Sequence, residues 1–233
     1  MPHGFKTLFK LVGGVTPDPV QMHQQASRNV VLGTLRVNPG SKANVVTASA
    51  SITPLRLGSH ADPHAWQTVV NASTYIDNIR AALSAAAPAD AEVFKTNAEA
   101  YQAKLDALER DIRQWVGQIP RERRKVISNH DAFGYFAKAY EIEFIAPVGV
   151  STESEPSARD VASIITQIKK AKIAAVFLEN MGDPRLIERI AAETGAKVGG
   201  TLYSDSLTDE KGDAPTYIEM VRHNIKALRY ALE

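Results

Sequence analysis

The chain has 233 residues, 44% of them hydrophobic and 23% charged, with 27 basic against 26 acidic side chains and a formal net charge of +1. That balance supplies no clustered basic face for nucleic acid, and no apolar run approaches the roughly 18 residues of a membrane-spanning helix. Cysteine is absent, which excludes disulfide frameworks and thiolate sites, so any metal must be held by His, Asp, Glu or backbone oxygens.

Residues 1–42 are the least regular part, mixing short apolar runs (TLFKLVGG, NVVLGTLRV) with Pro/Gly breaks such as TPDPV and NPGSK. The start, MPHGFKTLFKLVGG, carries one Lys-flanked apolar patch but no full h-region or small-residue cleavage site, so no signal peptide is visible in it. NVVTASASI, 44–52, reads as a strand because it is β-branched and apolar ahead of a turn-like segment. From Trp66 the pattern turns helical, with Trp66, Val69, Val70, Ser73, Ile76, Ile79 and Leu83 at three- and four-residue steps. Residues 89–118 contain no proline and place Phe94, Tyr101, Leu105, Leu108, Ile112 and Trp115 on one stripe. That predicts a helix about 45 Å long, a spine between two lobes, ended by IPRERR.

Beyond the break the pattern alternates. KVISN, EIEFIAPV, IAAVFLEN and AKVGGTLY read as buried strands; DAFGYFAKAY, SARDVASIITQIKKA and DPRLIERIAAETG read as the helices between them. APTYIEMVRHNIKALRYALE is an amphipathic closing helix. The fold class predicted is α/β, two lobes with parallel-type sheets flanked by helices and joined by the spine. The boundaries expected are a first lobe at 1–88, the spine at 89–119 and a second lobe at 120–233.

In open α/β sheets ligands bind beyond the carboxyl ends of the strands. That rim collects Asn129, His130 and Asp131 after the first strand of the second lobe, Ser151, Thr152 and Glu153 after the next, then Glu179 with Asn180, and Ser204 with Asp205. DPHAW, 62–66, adds His64 at a turn-to-helix junction, with His60 close by. Asp62 reads most simply as a helix N-cap and Asp131 as a first-turn acid. His223 reads as a partly exposed helical residue. Signature motifs of hydrolases and nucleotide-binding folds are missing. Two imidazoles with one or two carboxylates suit Zn²⁺, with Mn²⁺ as the alternative. A metal-dependent hydrolase remains a second reading of the same donors, and a surface adhesion role a third.

DPHAW, the long spine, SNHDAFGYFAKAYEI, STESEPSARD, VFLENMGDPRLIERIAAETGAKVGGTLYSDSL and PTYIEMVRHNIKAL, in this order, resemble the zinc/manganese solute-binding proteins of bacterial ABC importers over about residues 43–233. The resemblance implies two α/β lobes joined by a rigid helix, and a metal in the cleft between them, delivered to a membrane permease. It implies a non-enzymatic, periplasmic or cell-surface protein acting as a monomer. Carried over by motif, His64, His130 and Asp205 match metal ligands. Glu153 and Glu155 fall in a loop near the cleft, Glu179 and Tyr203 become candidates for contacts behind the ligands, and Trp66 packs beside them. The family's complete first lobe carries a further histidine ligand. Here that lobe is expected to be incomplete, by truncation or a shifted start, with His23 and His60 the remaining candidates for the fourth position.

Overall fold

The computed structural model describes residues 34–37, 44–58, 60–147, 157–171, 173, 175–180 and 183–233. Two compact units divide between Glu109 and Arg110, within the long helix. No helix among the described residues is long and apolar enough to cross a membrane.

In the first unit β1 (Thr34–Val37) pairs antiparallel with β2 (Asn44–Thr47), and β3 (Arg56–Leu57) pairs antiparallel with β4 (His60–Ala61). The described strands of this unit are therefore two antiparallel pairs, and the parallel sheet belongs to the second unit. The strand expected over 44–52 stops at Thr47, where the chain turns through Ala48–Ser51 with Ser51 in the left-handed region at φ 71°. Asn78 clasps this turn, its amide donating to the carbonyls of Ala48 at 2.7 Å and Ala50 at 2.8 Å.

Asn78 lies on α1 (Val69–Ala86), which begins later than the apolar spacing predicts, because Thr68 caps it by accepting from Asn71 N–H at 3.2 Å. Trp66 therefore sits in a short 3-10 turn, Ala65–Gln67, ahead of the helix, and Val70 faces solvent. The spine is α2 (Ala91–Gln118), 28 residues or about 42 Å at the usual rise. Its predicted stripe is buried at Phe94, Tyr101, Leu105, Leu108 and Ile112, while Val116 takes the buried position expected of Trp115. Gln102 joins α2 to α1 by donating to the Ser73 carbonyl at 3.0 Å.

The second unit contains β5 (Lys125–Ile127), α3 (Gly134–Tyr140), β6 (Glu143–Ile145), α4 (Ala158–Ala171), β7 (Ala175–Glu179), α5 (Pro184–Thr194), β8 (Lys197–Leu202) and α6 (Tyr217–Leu232). All strand pairings are parallel, in the order β6-β5-β7-β8. Val176 and Ile127 join a cluster with Val161, Ile164, Ile168, Ile187 and Ile190 of α4 and α5. Phe177, the next residue along β7, points to the opposite face, as strand alternation requires. There it meets α6: a Cβ on Gly199 of β8 would lie 2.4 Å from the Phe177 ring and 2.8 Å from the Ala231 methyl. Glycine at 199 is what lets this helix and this ring close on the sheet.

Candidate metal centre

The chain leaves β5 outward to β6 and returns across it to β7 and β8, so the connections diverge between the carboxyl ends of β5 and β7. Such a switch point is where open parallel sheets form ligand crevices. His130 follows β5 and Glu179 ends β7, so the two meet at this point. Asn129 locks the ends together: its side-chain carbonyl accepts from Glu179 N–H at 3.1 Å and its amide donates to the Asp183 carbonyl at 3.2 Å.

His130 is 1% exposed and lies between two carboxylates. Glu179 accepts the His130 backbone N–H on Oε1 at 2.9 Å and faces Nδ1 with Oε2 at 2.6 Å. On the opposite ring edge, Nε2 lies 3.1 Å from Asp205 Oδ2. Burial alone depresses an imidazole pKa, but the contacts with Asp205 and Glu179 outweigh it and push His130 up to about 10.

Asp205 is presented by a loop pinned from both sides in sequence, by Asn224 of α6 and by Asn180 beyond β7. Asn224, buried on α6, accepts the Tyr203 N–H at 2.9 Å and donates to the Tyr203 carbonyl at 2.8 Å, completing the backbone as a neighbouring strand would. Asn180, just past β7, donates to the hydroxyl and carbonyl oxygens of Ser206, and its backbone N–H reaches the Leu202 carbonyl at 3.1 Å. Neither asparagine stood out in the sequence as holding Asp205. Tyr203 itself packs edge-on against His223, with centroids 4.9 Å apart. His223 is half-buried and its Nε2 lies 3.0 Å from the Thr201 carbonyl.

In the first unit, His64 is also buried, and its partner corrects the reading of Asp62. Asp62 Oδ1 takes the His64 backbone N–H at 2.9 Å and lies 2.8 Å from Nδ1. It is not the N-cap of α1, which starts seven residues further on, behind Thr68. Asp62 N–H meets the Leu55 carbonyl at 2.8 Å, tying the loop to the β3–β4 hairpin. Trp66 stands edge-on to His64 at 5.4 Å. Asp131 is likewise no first-turn acid, because the chain turns at His130, with Ala132 N–H on its carbonyl at 2.9 Å, and α3 begins only at Gly134. Phe133 and Phe136 nonetheless enter the core, packing on Phe144. His60 is exposed on β4, opposite Leu57. His23, Glu153 and Glu155 lie outside the described residues.

Buried imidazoles, each with a carboxylate at Nδ1, together with a partly exposed aspartate are donors suited to a borderline divalent ion. Residues 24–231 match the model of the family described as zinc-uptake complex component A, periplasmic. The iron-binding protein YfeA of Yersinia pestis is 37% identical over 187 residues, covering 79% of this chain and 60% of that protein. The manganese-binding lipoprotein MntA of Halalkalibacterium halodurans is 31% identical, covering 79% of this chain and 62% of its own. The solved periplasmic zinc binding protein TroA from Treponema pallidum superposes with a TM-score of 0.77 at 33% identity, covering 80% of this chain and 71% of that one. The chain thus spans about three fifths of the length of the first two relatives. These are binding proteins and not enzymes, which sets the hydrolase alternative aside. By its own match and by these relatives, the chain belongs to the family described as zinc-uptake complex component A, periplasmic.

Proposed function

We propose that this chain captures a divalent transition metal, zinc before manganese, and delivers it to the permease of an ABC-type importer. The ligands proposed are His64 from the first lobe with His130 and Asp205 from the second, in the cleft that the family resemblance implies. The observation that carries the reading is His130 buried between Glu179 and Asp205 at the sheet's switch point. An imidazole between the buried Glu179 and the partly exposed Asp205 leaves a negative site, which a dication satisfies better than water can.

Two imidazoles and one carboxylate lean toward zinc, whereas added carboxylates would favour manganese. The relatives span iron, manganese and zinc in their names, so the preference for zinc rests on the donor set of this chain. Three protein ligands leave a position for water or for a fourth ligand. His23 and His60 stay the proposed candidates, and Glu153 and Glu155 are proposed to order their loop near the cleft. The protein is proposed to act as a monomer at the periplasmic or cell-surface face.

The test is competitive titration of Zn²⁺ and of Mn²⁺ into the full chain and into His130→Ala. The proposal expects tighter zinc than manganese binding and a large loss in the variant. Equal zinc affinity in the two proteins would sink it.

A further inference from the structure

The same contact occurs on both candidate ligand histidines, built in two unrelated ways. In each, one carboxylate holds the histidine's own backbone N–H and its ring Nδ1 together. On His64 the carboxylate is local: Asp62, two residues earlier, bends back around Pro63 and places one oxygen, Oδ1, 2.9 Å from the backbone nitrogen and 2.8 Å from Nδ1. On His130 the carboxylate arrives across the sheet from β7: Glu179 uses Oε1 for the backbone nitrogen at 2.9 Å and Oε2 for Nδ1 at 2.6 Å. Both acids are nearly fully buried, at 0% and 4% exposure. A buried carboxylate costs several kcal/mol to desolvate, so neither position suits an incidental surface acid.

A contact to the ring alone would leave the imidazole free to swing about its χ angles. Gripping the backbone N–H as well ties the ring plane to the main chain, and a proton held on Nδ1 leaves Nε2 as the donor atom. We propose that Asp62 and Glu179 are the positioning residues of the metal centre, matched clamps that aim Nε2 of His64 and of His130 at the ion. This rests on the metal-binding reading above and adds two residues to it that coordinate nothing themselves.

The two clamps differ in one respect, and the difference is measurable. Asp62 serves both donors with a single oxygen. Asp62→Asn can keep a carbonyl oxygen in that place, so the acceptor for both donors stays while the charge is lost. Glu179 uses both oxygens, so Glu179→Gln must turn an NH₂ group toward either the backbone N–H or Nδ1–H. Donor then faces donor in a buried site. The orienting partner of a metal-bound histidine is typically worth about 10- to 100-fold in affinity. Glu179→Gln should lie at the upper end of that range, and Asp62→Asn at or below the lower end, with Asp62→Ala joining Glu179→Gln.

The experiment is competitive zinc titration of the full chain and of these three variants, with circular dichroism to check folding. Nitrogen-15 NMR of labelled histidines in the zinc-loaded wild type adds a reading that a merely structural role would not move. The expected spectrum shows a proton on Nδ1 and metal on Nε2 for both histidines. Zinc on Nδ1 of either, or variants that bind as wild type does, overturns the clamps. So does Asp62→Asn costing as much as Glu179→Gln. The NMR result holds whether or not Glu179→Gln folds. If instead wild type and His130→Ala bind zinc alike, the metal reading itself has failed, and the clamps fall with it.

Discussion

Replacing Asn224 by alanine tests how α6 controls a loop it does not belong to. The side chain makes two hydrogen bonds to one residue, accepting from Tyr203 N–H at 2.9 Å and donating to the Tyr203 carbonyl at 2.8 Å. Each such bond contributes about 0.5–1.5 kcal/mol net. Tyr203 is half-buried and both bonds are only partly buried, so the full penalty for buried unsatisfied atoms does not apply. The expected loss is therefore about 2 kcal/mol, a fall in Tm of about 4–8 °C for a chain of this size. Asn224→Asp should fare no better, since a carboxylate keeps the acceptor for the amide but has no proton for the carbonyl. Because Asp205 lies two residues beyond Tyr203, the loosened loop should also weaken zinc binding. Urea unfolding reads the stability, and hydrogen exchange reads the Tyr203 amide directly. An unchanged exchange rate at Tyr203 in Asn224→Ala would refute the reasoning, whatever the global stability does.

Three further outcomes are expected. Gly199→Ala should destabilise the second unit by about 1–3 kcal/mol through overpacking, because the new methyl meets the Phe177 ring and Ala231; denaturant titration measures it, and Phe177→Leu in the same chain should recover part. At Asp183, the N-cap of α5, hydrogen bonds from Arg185 hold the carboxyl down at about 2. A depressed folded-state pKa adds stability that is present above the unfolded value near 3.8 and is lost as pH falls through about 2. Wild type and Asp183→Asn should therefore differ above pH 4 and converge near pH 2, as followed by thermal melts across that range. Saturating zinc at about 100 times its Kd should stabilise the folded chain by about 2.7 kcal/mol, reversibly with a chelator, and His130→Ala should show no such shift.

The apolar runs at 125–127 and 175–179 form the two central strands and are largely buried, so their strand character is written in composition, whereas the edge strands at 143–145 and 197–202 keep exposed positions such as Glu143, Lys197 and Val198. The helices between them follow from period and caps, and the spine from an unbroken stripe. Placement of His130, Glu179 and Asp205 at strand ends was legible for the same reason, since a parallel sheet gathers those ends on one rim. Helix starts were less legible: Thr68 outcompetes Trp66 as a boundary because its hydroxyl reaches a backbone amide, which no apolar pattern records.

What only the tertiary structure decided is which polar groups face one another once buried. Asp62 has the sequence signature of a cap, yet its oxygen turns to an imidazole because Leu55 and the hairpin hold its backbone away from any helix. Glu179 reaches His130 across 49 residues only because β5 and β7 are sheet neighbours. Asn224 looks like one more polar residue on a closing helix, and its role exists only where α6 crosses the end of β8. Local pattern decides which elements form. Strand order and burial decide which polar side chains must find partners inside, and the candidate site is built from those partners.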